Sequence, residues 1–264
     1  MSVPKLTDRQ PGLRGLLRDV WLKNFLRMIP YPYRSRSGLT SPCQRRYEVT
    51  MCQAMFEADN YRLREIARPV RTVLDVGANF GVFTFAAADR FAGEVKRIFA
   101  VEPFDPNHRR IQSVAHANAL DQVVAAVNAA VNAAVSNQPG LGELRLSQGA
   151  HYGHSLEVLK NPIAKGLQPV ELTTLDALRQ RFGLGRIDLL KLDVEGSELA
   201  ALDGGLETLQ ATRTLIVEAH KGFCGLRDLL TRLQPLGFVL KTDGLPAGAE
   251  HGDFTFVQTT WRNA

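Results

Sequence analysis

Val73-Leu-Asp-Val-Gly-Ala-Asn-Phe-Gly-Val-Phe83 is a short apolar run that ends in an acidic residue and a glycine turn and then opens into a helical stretch. Gly77 lets the chain reverse without a Cβ clash, and Gly81 lets the helix start approach both strand and ligand. A dinucleotide fingerprint, GxGxxG, would need glycines at 79 and 82, but Asn79 and Val82 stand there. The next apolar run, Ile98-Phe-Ala-Val101, ends in Glu102, roughly 20 residues beyond the turn, where a carboxylate can accept both hydroxyls of a ribose. A glycine turn with a ribose carboxylate points to an adenosine-bearing cofactor. Without a phosphate cradle, S-adenosylmethionine fits better than NAD, and its sulfonium cation favours carboxylates nearby.

Outward from this run, short β-rich segments alternate with helical ones, the pattern of parallel strands joined by helical crossovers. The expected strands are Thr72 to Val76, Arg97 to Glu102, Val131 to Ser136, Ile187 to Asp193, Thr214 to His220, Phe238 to Thr242 and Phe254 to Thr259. Helices are expected near Gly81 to Arg90, Asn107 to Ala119, Ser197 to Leu209 and Leu226 to Leu236. Residues 141–174 break the rhythm with scattered Gly, Pro and His and read as an inserted hairpin or loop over the site. His151 and His154 there read as substrate-loop or surface residues.

The chain has 264 residues, of which 45% are hydrophobic, enough for one substantial α/β domain with an appendage. Residues 1–66 read as a helical extension and 67–264 as the main domain. Within the extension, 12–29 form a basic amphipathic helix, Tyr31 to Gly38 a loop, and Gln44 to Ile66 a second helix. The net charge of +5 invites nucleic acid, but the excess sits mostly in the first 71 residues without a nucleic-acid motif, which argues against it. The basic helix is read first as a cap on the core and second as a peripheral contact with an anionic membrane. Cys43, Cys52 and Cys224 have neither metal-knuckle nor redox spacing, and no apolar run spans a bilayer, so a cytoplasmic location is expected.

From about Arg71 to His220 the chain resembles the FkbM family of methyltransferases. The resemblance rests on Leu74-Asp-Val-Gly-Ala-Asn-Phe-Gly81, Val101-Glu-Pro103 and Ile187-Asp-Leu-Leu-Lys-Leu-Asp-Val-Glu-Gly-Ser-Glu-Leu199, with weaker echoes at Asn132-Ala-Ala-Val-Ser136, Thr173-Thr-Leu-Asp176 and Leu215-Ile-Val-Glu-Ala-His220. It implies a Rossmann-like class I methyltransferase fold, with a mostly parallel seven-stranded sheet and helices on both faces. It also implies S-adenosylmethionine as cofactor and a hydroxyl of a sugar, glycan or natural product as acceptor. Carried over by position, Asp75, Gly77, Asn79 and Gly81 line the methionine half of the cofactor, Glu102 holds the ribose, and Asn132 lies near the adenine. The alternatives are an NAD-dependent oxidoreductase or epimerase and a noncatalytic adenosylmethionine-binding scaffold.

Methyl transfer to a hydroxyl needs a base for the acceptor's proton. Lys191, Asp193, Glu195 and Glu198 crowd a strand-to-helix junction, and Glu218 and His220 share one face of the next strand. Lys191, Asp193 and Glu195 would share a face only if their strand continued that far. His220 is the first choice of base and Asp193 the second, with Glu218 beside them; Glu198 reads as a helix N-terminal residue. No metal is assigned, although Asp193, Glu218 and His220 could assemble a divalent site.

Overall fold

The computed structural model describes residues 31–43, 46–131, 140–146, 166–220, 222–244 and 251–259. The basic helix expected at 12–29, Asn132, His151 and His154 lie outside these residues. In chain order the elements are β1 (Tyr31–Arg34), β2 (Thr40–Cys43), α1 (Arg46–Phe56), β3 (Thr72–Val76), α2 (Val82–Arg90), β4 (Arg97–Val101), α3 (Asp105–Ala117), β5 (Val124–Val127), β6 (Ala130–Val131), β7 (Gly140–Leu146), β8 (Gly166–Thr173), α4 (Leu175–Arg181), β9 (Ile187–Leu192), α5 (Glu198–Asp203), α6 (Leu206–Gln210), β10 (Thr212–His220), α7 (Leu226–Leu233), β11 (Phe238–Gly244) and β12 (His251–Gln258).

Seven strands form one sheet in the order β11-β12-β10-β9-β3-β4-β5. The five from β10 to β5 run parallel, and β12 is antiparallel to both of its neighbours. The central strands are apolar almost throughout because both faces are covered. Leu74, Leu190 and Leu215 pack on one side with Leu178, Leu202 and Leu229, while Val73, Leu189 and Ile216 pack on the other with Phe85, Ile111 and Val114. From β3 the chain steps outward through β4 to β5, then returns to build β9 and β10 on the other side. The crevice between the carboxyl ends of β3 and β9 is therefore the topological switch point, where open α/β sheets place ligands.

The structure corrects four local expectations. Residues 31–38 are not all loop: β1 pairs antiparallel with β2, and its proline is tolerated because a two-stranded ribbon is all edge, with Pro32 opposite Pro42. The helix expected to reach Ile66 stops at Phe56, because Asp59 and Arg62 adopt left-handed backbone and the Asp59 carboxylate captures the N–H groups of Leu63 and Arg64. The core strand expected at 131–136 lies earlier, at β5, where it pairs with β4; Val131 pairs instead with Thr173 in a small β6-β8-β7 sheet. The single helix expected at 197–209 is two, broken at Gly204 and Gly205. In the region read as an insertion, β7 pairs antiparallel with β8. Among the described residues no helix is long and apolar enough to cross a membrane.

The described part of the extension docks on α3. Thr40 and Asn118 exchange hydrogen bonds of 2.8 and 2.7 Å, and Arg110 makes a two-pronged pair with Glu48 at 3.1 and 2.9 Å while its guanidinium lies 4.5 Å from the Phe80 ring centre. Glu48 is fully buried and Arg110 nearly so. Losing one partner of such a pair strands the other charge in the interior. Glu48→Ala is therefore expected to lower stability to urea unfolding by about 3 kcal/mol, and Glu48→Ala with Arg110→Met to recover much of the loss.

Candidate functional site

The turn after β3 is sewn to its neighbours by backbone bonds. The N–H groups of Gly77 and Ala78 both donate to the Val101 carbonyl at 3.0 Å, and the N–H of Asp193 donates to the Val76 carbonyl at 3.0 Å. Gly77 sits at φ +76°, and a Cβ there would lie 1.6 Å from the Asp193 carbonyl oxygen. Asn79 is also left-handed, at φ +53°, which turns its N–H onto one oxygen of Glu102 at 2.8 Å. The Phe104 N–H takes the other Glu102 oxygen at 2.9 Å, and the Asn79 side-chain oxygen accepts from Asn107 at 3.0 Å. Gly81 then opens α2 at φ +91°.

Glu102 is only 5% exposed. Burial pushes its carboxyl up to about 7, against the opposing pull of the Phe104 and Asn79 N–H groups and of Lys191. Gly77, Asn79, Gly81 and Glu102 thus gather at the switch point of the sheet. Asp75 does not face the crevice. It is fully buried, accepting from the Thr84 hydroxyl at 2.5 Å and lying 3.5 Å from the Lys191 ammonium, so it underpins the turn from beneath.

Strand alternation puts Asp75, Lys191 and Glu218 on the sheet face that carries Val73, Leu189 and Ile216. The Lys191 ammonium donates to the Gly77 carbonyl at 2.7 Å and pairs with Asp193 at 3.0 Å. Burial disfavours its charge, but Asp193, Asp75 and Glu218 outweigh burial and raise its pKa. Burial raises the Asp193 carboxyl well above the usual range; Lys191 opposes this, and Glu218 and Glu195 add to it.

The strand stops at Leu192, so Glu195 does not share a face with Lys191 and Asp193 by strand alternation; the β9–α5 turn places it. Glu195 has φ +51° and its carboxylate reaches His220 Nε2 at 3.2 Å. Glu198, at the start of α5 and fully buried, meets His220 Nδ1 at 2.9 Å and accepts from the Gly196 N–H at 3.0 Å. Glu198 therefore combines the expected helix-terminal position with a second part, holding the imidazole. Burial pulls the His220 ring down, but hydrogen bonds to Glu195 and Glu198 carry it up to about 11. Both nitrogens thus face carboxylates, which favours the protonated ring.

Glu218 lies on the adjoining strand and accepts from the Tyr61 hydroxyl. Tyr61 comes from the turn after α1 and meets Phe83 edge-on at 5.5 Å. Burial, then Asp193, Glu218 and Asp253, raise its phenol well above the ordinary value. Nothing in its sequence neighbourhood marked Tyr61, since the contact spans 157 positions and the segment read as helix. Asp193 and His220 come together, and the third group within 4.8 Å of both is Glu195.

A family model described as "Methyltransferase FkbM domain" matches residues 75–240. AMB antimetabolite synthetase AmbE of Pseudomonas aeruginosa is 29% identical over 181 residues, covering 58% of this chain and 8% of that protein. Among solved structures, methyltransferase FkbM from Methylobacillus flagellatus superposes with a TM-score of 0.51 at 14% identity, over 80% of this chain and 52% of the other. A ribosomal protein L11 methylase from Lactobacillus delbrueckii gives 0.41 at 12% identity, over 80% and 79% of the two chains. The chain thus spans about half of the first structure and under a tenth of the synthetase.

The Gly77 contact sets a steric test. Gly77→Ala combines a left-handed backbone with a Cβ driven into the Asp193 carbonyl, whereas Gly93→Ala has the same backbone sign and nothing within 4 Å. Urea denaturation is expected to show a loss of about 3 kcal/mol or more for the first and about 1 kcal/mol for the second.

Proposed function

Since the chain belongs to the FkbM methyltransferase family, we propose that it transfers the methyl group of S-adenosylmethionine to a hydroxyl of a sugar, glycan or natural product. The observation that carries this reading is Glu102: a nearly buried carboxylate, oriented by two backbone N–H groups, beside a glycine turn at the switch point of the sheet. Family membership favours this reading over the nicotinamide alternative.

The residues present fit the cofactor. Glu102 would accept the ribose hydroxyls, and Gly77, Asn79 and Gly81 would bring backbone against the methionine half, with Asp75 bracing them through Thr84 and Lys191. Asn132 is assigned to the adenine end by its place in the family pattern. When bound, S-adenosylmethionine supplies an electrophilic methyl group on a sulfonium cation. The carboxylates of Asp193, Glu195 and Glu218 favour positive charge at the neighbouring end, where the acceptor is assigned. Because His220 is held by carboxylates on both nitrogens, removal of the hydroxyl proton falls to the Asp193 and Glu218 side of the cluster.

Residues 1–66 are read as a cap and 67–264 as the catalytic domain. A cytoplasmic location belongs to the same reading.

Calorimetric titration with S-adenosylmethionine, S-adenosylhomocysteine and NAD tests the assignment. The first two are expected to bind and NAD not to, with Glu102→Ala weakening binding at least about tenfold. Binding of NAD alone would overturn it. The sign of the pH dependence follows from Glu102: ribose hydroxyls donate to the charged carboxylate, so binding favours loss of its proton. Affinity for S-adenosylhomocysteine should rise as pH increases from about 6 through about 7, level off near 8, and lose this dependence in Glu102→Gln.

A further inference from the structure

We propose that a groove on the antiparallel end of the sheet is a binding site for a small amphipathic anion of the medium-chain fatty acid type. The two faces of the strands there are treated differently. Phe238 of β11 and Phe254 and Phe256 of β12 lie in the core with Leu229 and Leu233 of α7. Strand alternation turns Val239, Thr255 and Val257 to the opposite face, and the register sets Val257 between Val239 of β11 and Thr214 of β10. Among the described residues neither valine joins a buried apolar cluster, and Val239 is 49% exposed.

The segment that leads into β3 supplies the facing wall, with Ile66 opposite the strands, and together they bound a cavity of about 290 Å3. That is the lower end of the size of small-molecule sites, which are mainly apolar and furnished with a few polar groups. Thr214 and Thr255 are buried in its lining, and among the described residues neither hydroxyl is tied to another protein group, which leaves both able to meet a ligand.

The charge of the lining selects the head group. Arg62 and Lys241 stand there against one acid, Glu65. Lys241 donates to the Glu65 backbone carbonyl at 3.1 Å, and among the described residues neither cation forms an ion pair. The lining therefore carries an excess positive charge, which suits a carboxylate head and disfavours an ammonium. An apolar tail on Ile66, Val239 and Val257 with its carboxylate near Arg62 and Lys241 answers both features. A second copy docked face to face would instead set these cations against their own counterparts.

The groove is separate from the crevice. Thr214 and Glu218 share a face of β10 and lie about 13 Å apart at the usual strand rise. Arg62 directly follows Tyr61, whose hydroxyl meets Glu218, so an occupant touches the turn that reaches the crevice. The site does not depend on the methyl-transfer reading.

Octanoate is the probe. Titrated into the full-length protein carrying isotope-labelled methyl groups, it is expected to shift the Ile66, Val239 and Val257 signals saturably, with one molecule bound per chain. Leu141, exposed on β7, should not respond. Octylammonium, with the same tail and the opposite charge, should bind at least about fivefold more weakly. The double variant Arg62→Gln, Lys241→Gln should lose about fivefold in octanoate affinity, and Val239→Glu at least about tenfold. No saturable shift in the folded wild-type protein, or equal affinity for octylammonium, would overturn the proposal. Methyl signals that move on dilution but not with octanoate would give the face to a second copy and overturn it equally. These readings are made on the unmodified chain, so a variant that fails to fold leaves the test intact.

Discussion

The Lys191 ammonium is the interaction on which the rest of the site depends. It is almost completely buried and donates to the Gly77 carbonyl while lying between Asp75 and Asp193, so one cation ties the β3 turn to the end of β9 across the switch point. A buried charge is tolerable only when its partners are close and well aimed, and the register that pairs Asp75 with Lys191 supplies that geometry from the backbone. The close approach of Gly77 to Asp193 serves the same junction. Where β3 and β9 meet so tightly that a methyl group has no room, the loop beyond is held against Glu102 without a large side chain to fix it.

The parts of this arrangement that are local in the chain were legible in it. The run from Val73 to Phe83 reads correctly because a doubly covered parallel strand is continuously apolar and its turn demands a left-handed backbone that glycine supplies at Gly77 and Gly81. The place of Glu102, one residue past the end of β4, was legible for a related reason, since strand length and crossover length fix where the next strand ends. The core strand β5 was misplaced because Val124-Ala-Ala-Val127 and Val131-Asn-Ala-Ala-Val135 are nearly the same words. The choice between them is made by pairing with β4, which no local pattern encodes.

The chemistry of the acceptor end was legible in its residues but not in its couplings. His220 was visible as a strand-end imidazole. What sets its state is a pair of carboxylates delivered by the turn after β9, one from left-handed Glu195 and one from the first turn of α5. Asp75 was visible as a strand-end acid too. Its register opposite Lys191 and its hydroxyl partner Thr84 turn it from a crevice residue into a brace. In both cases residue type survives in the sequence, whereas protonation and direction are fixed by neighbours that only the fold brings together.

The two ends of the crevice are consequently built in different ways. At the end proposed for the cofactor the contacts are backbone N–H groups, short turns and one carboxylate, all within residues 75–240, so the geometry tolerates little change. The other end is made of side chains from β9, the turn after it, β10 and the extension, with Tyr61 lying outside the matched region. Tyr61 reaches Glu218 only because Asp59 ends the preceding helix in a tight turn and because the Glu48–Arg110 pair holds that helix against the domain. On the proposed reading, changes in the first 66 residues would reshape the acceptor end through Tyr61 while Glu102 and its backbone donors keep their grip on the cofactor. On that same reading the methyl donor and the acceptor are gripped by different elements, so one end can change while the other is kept.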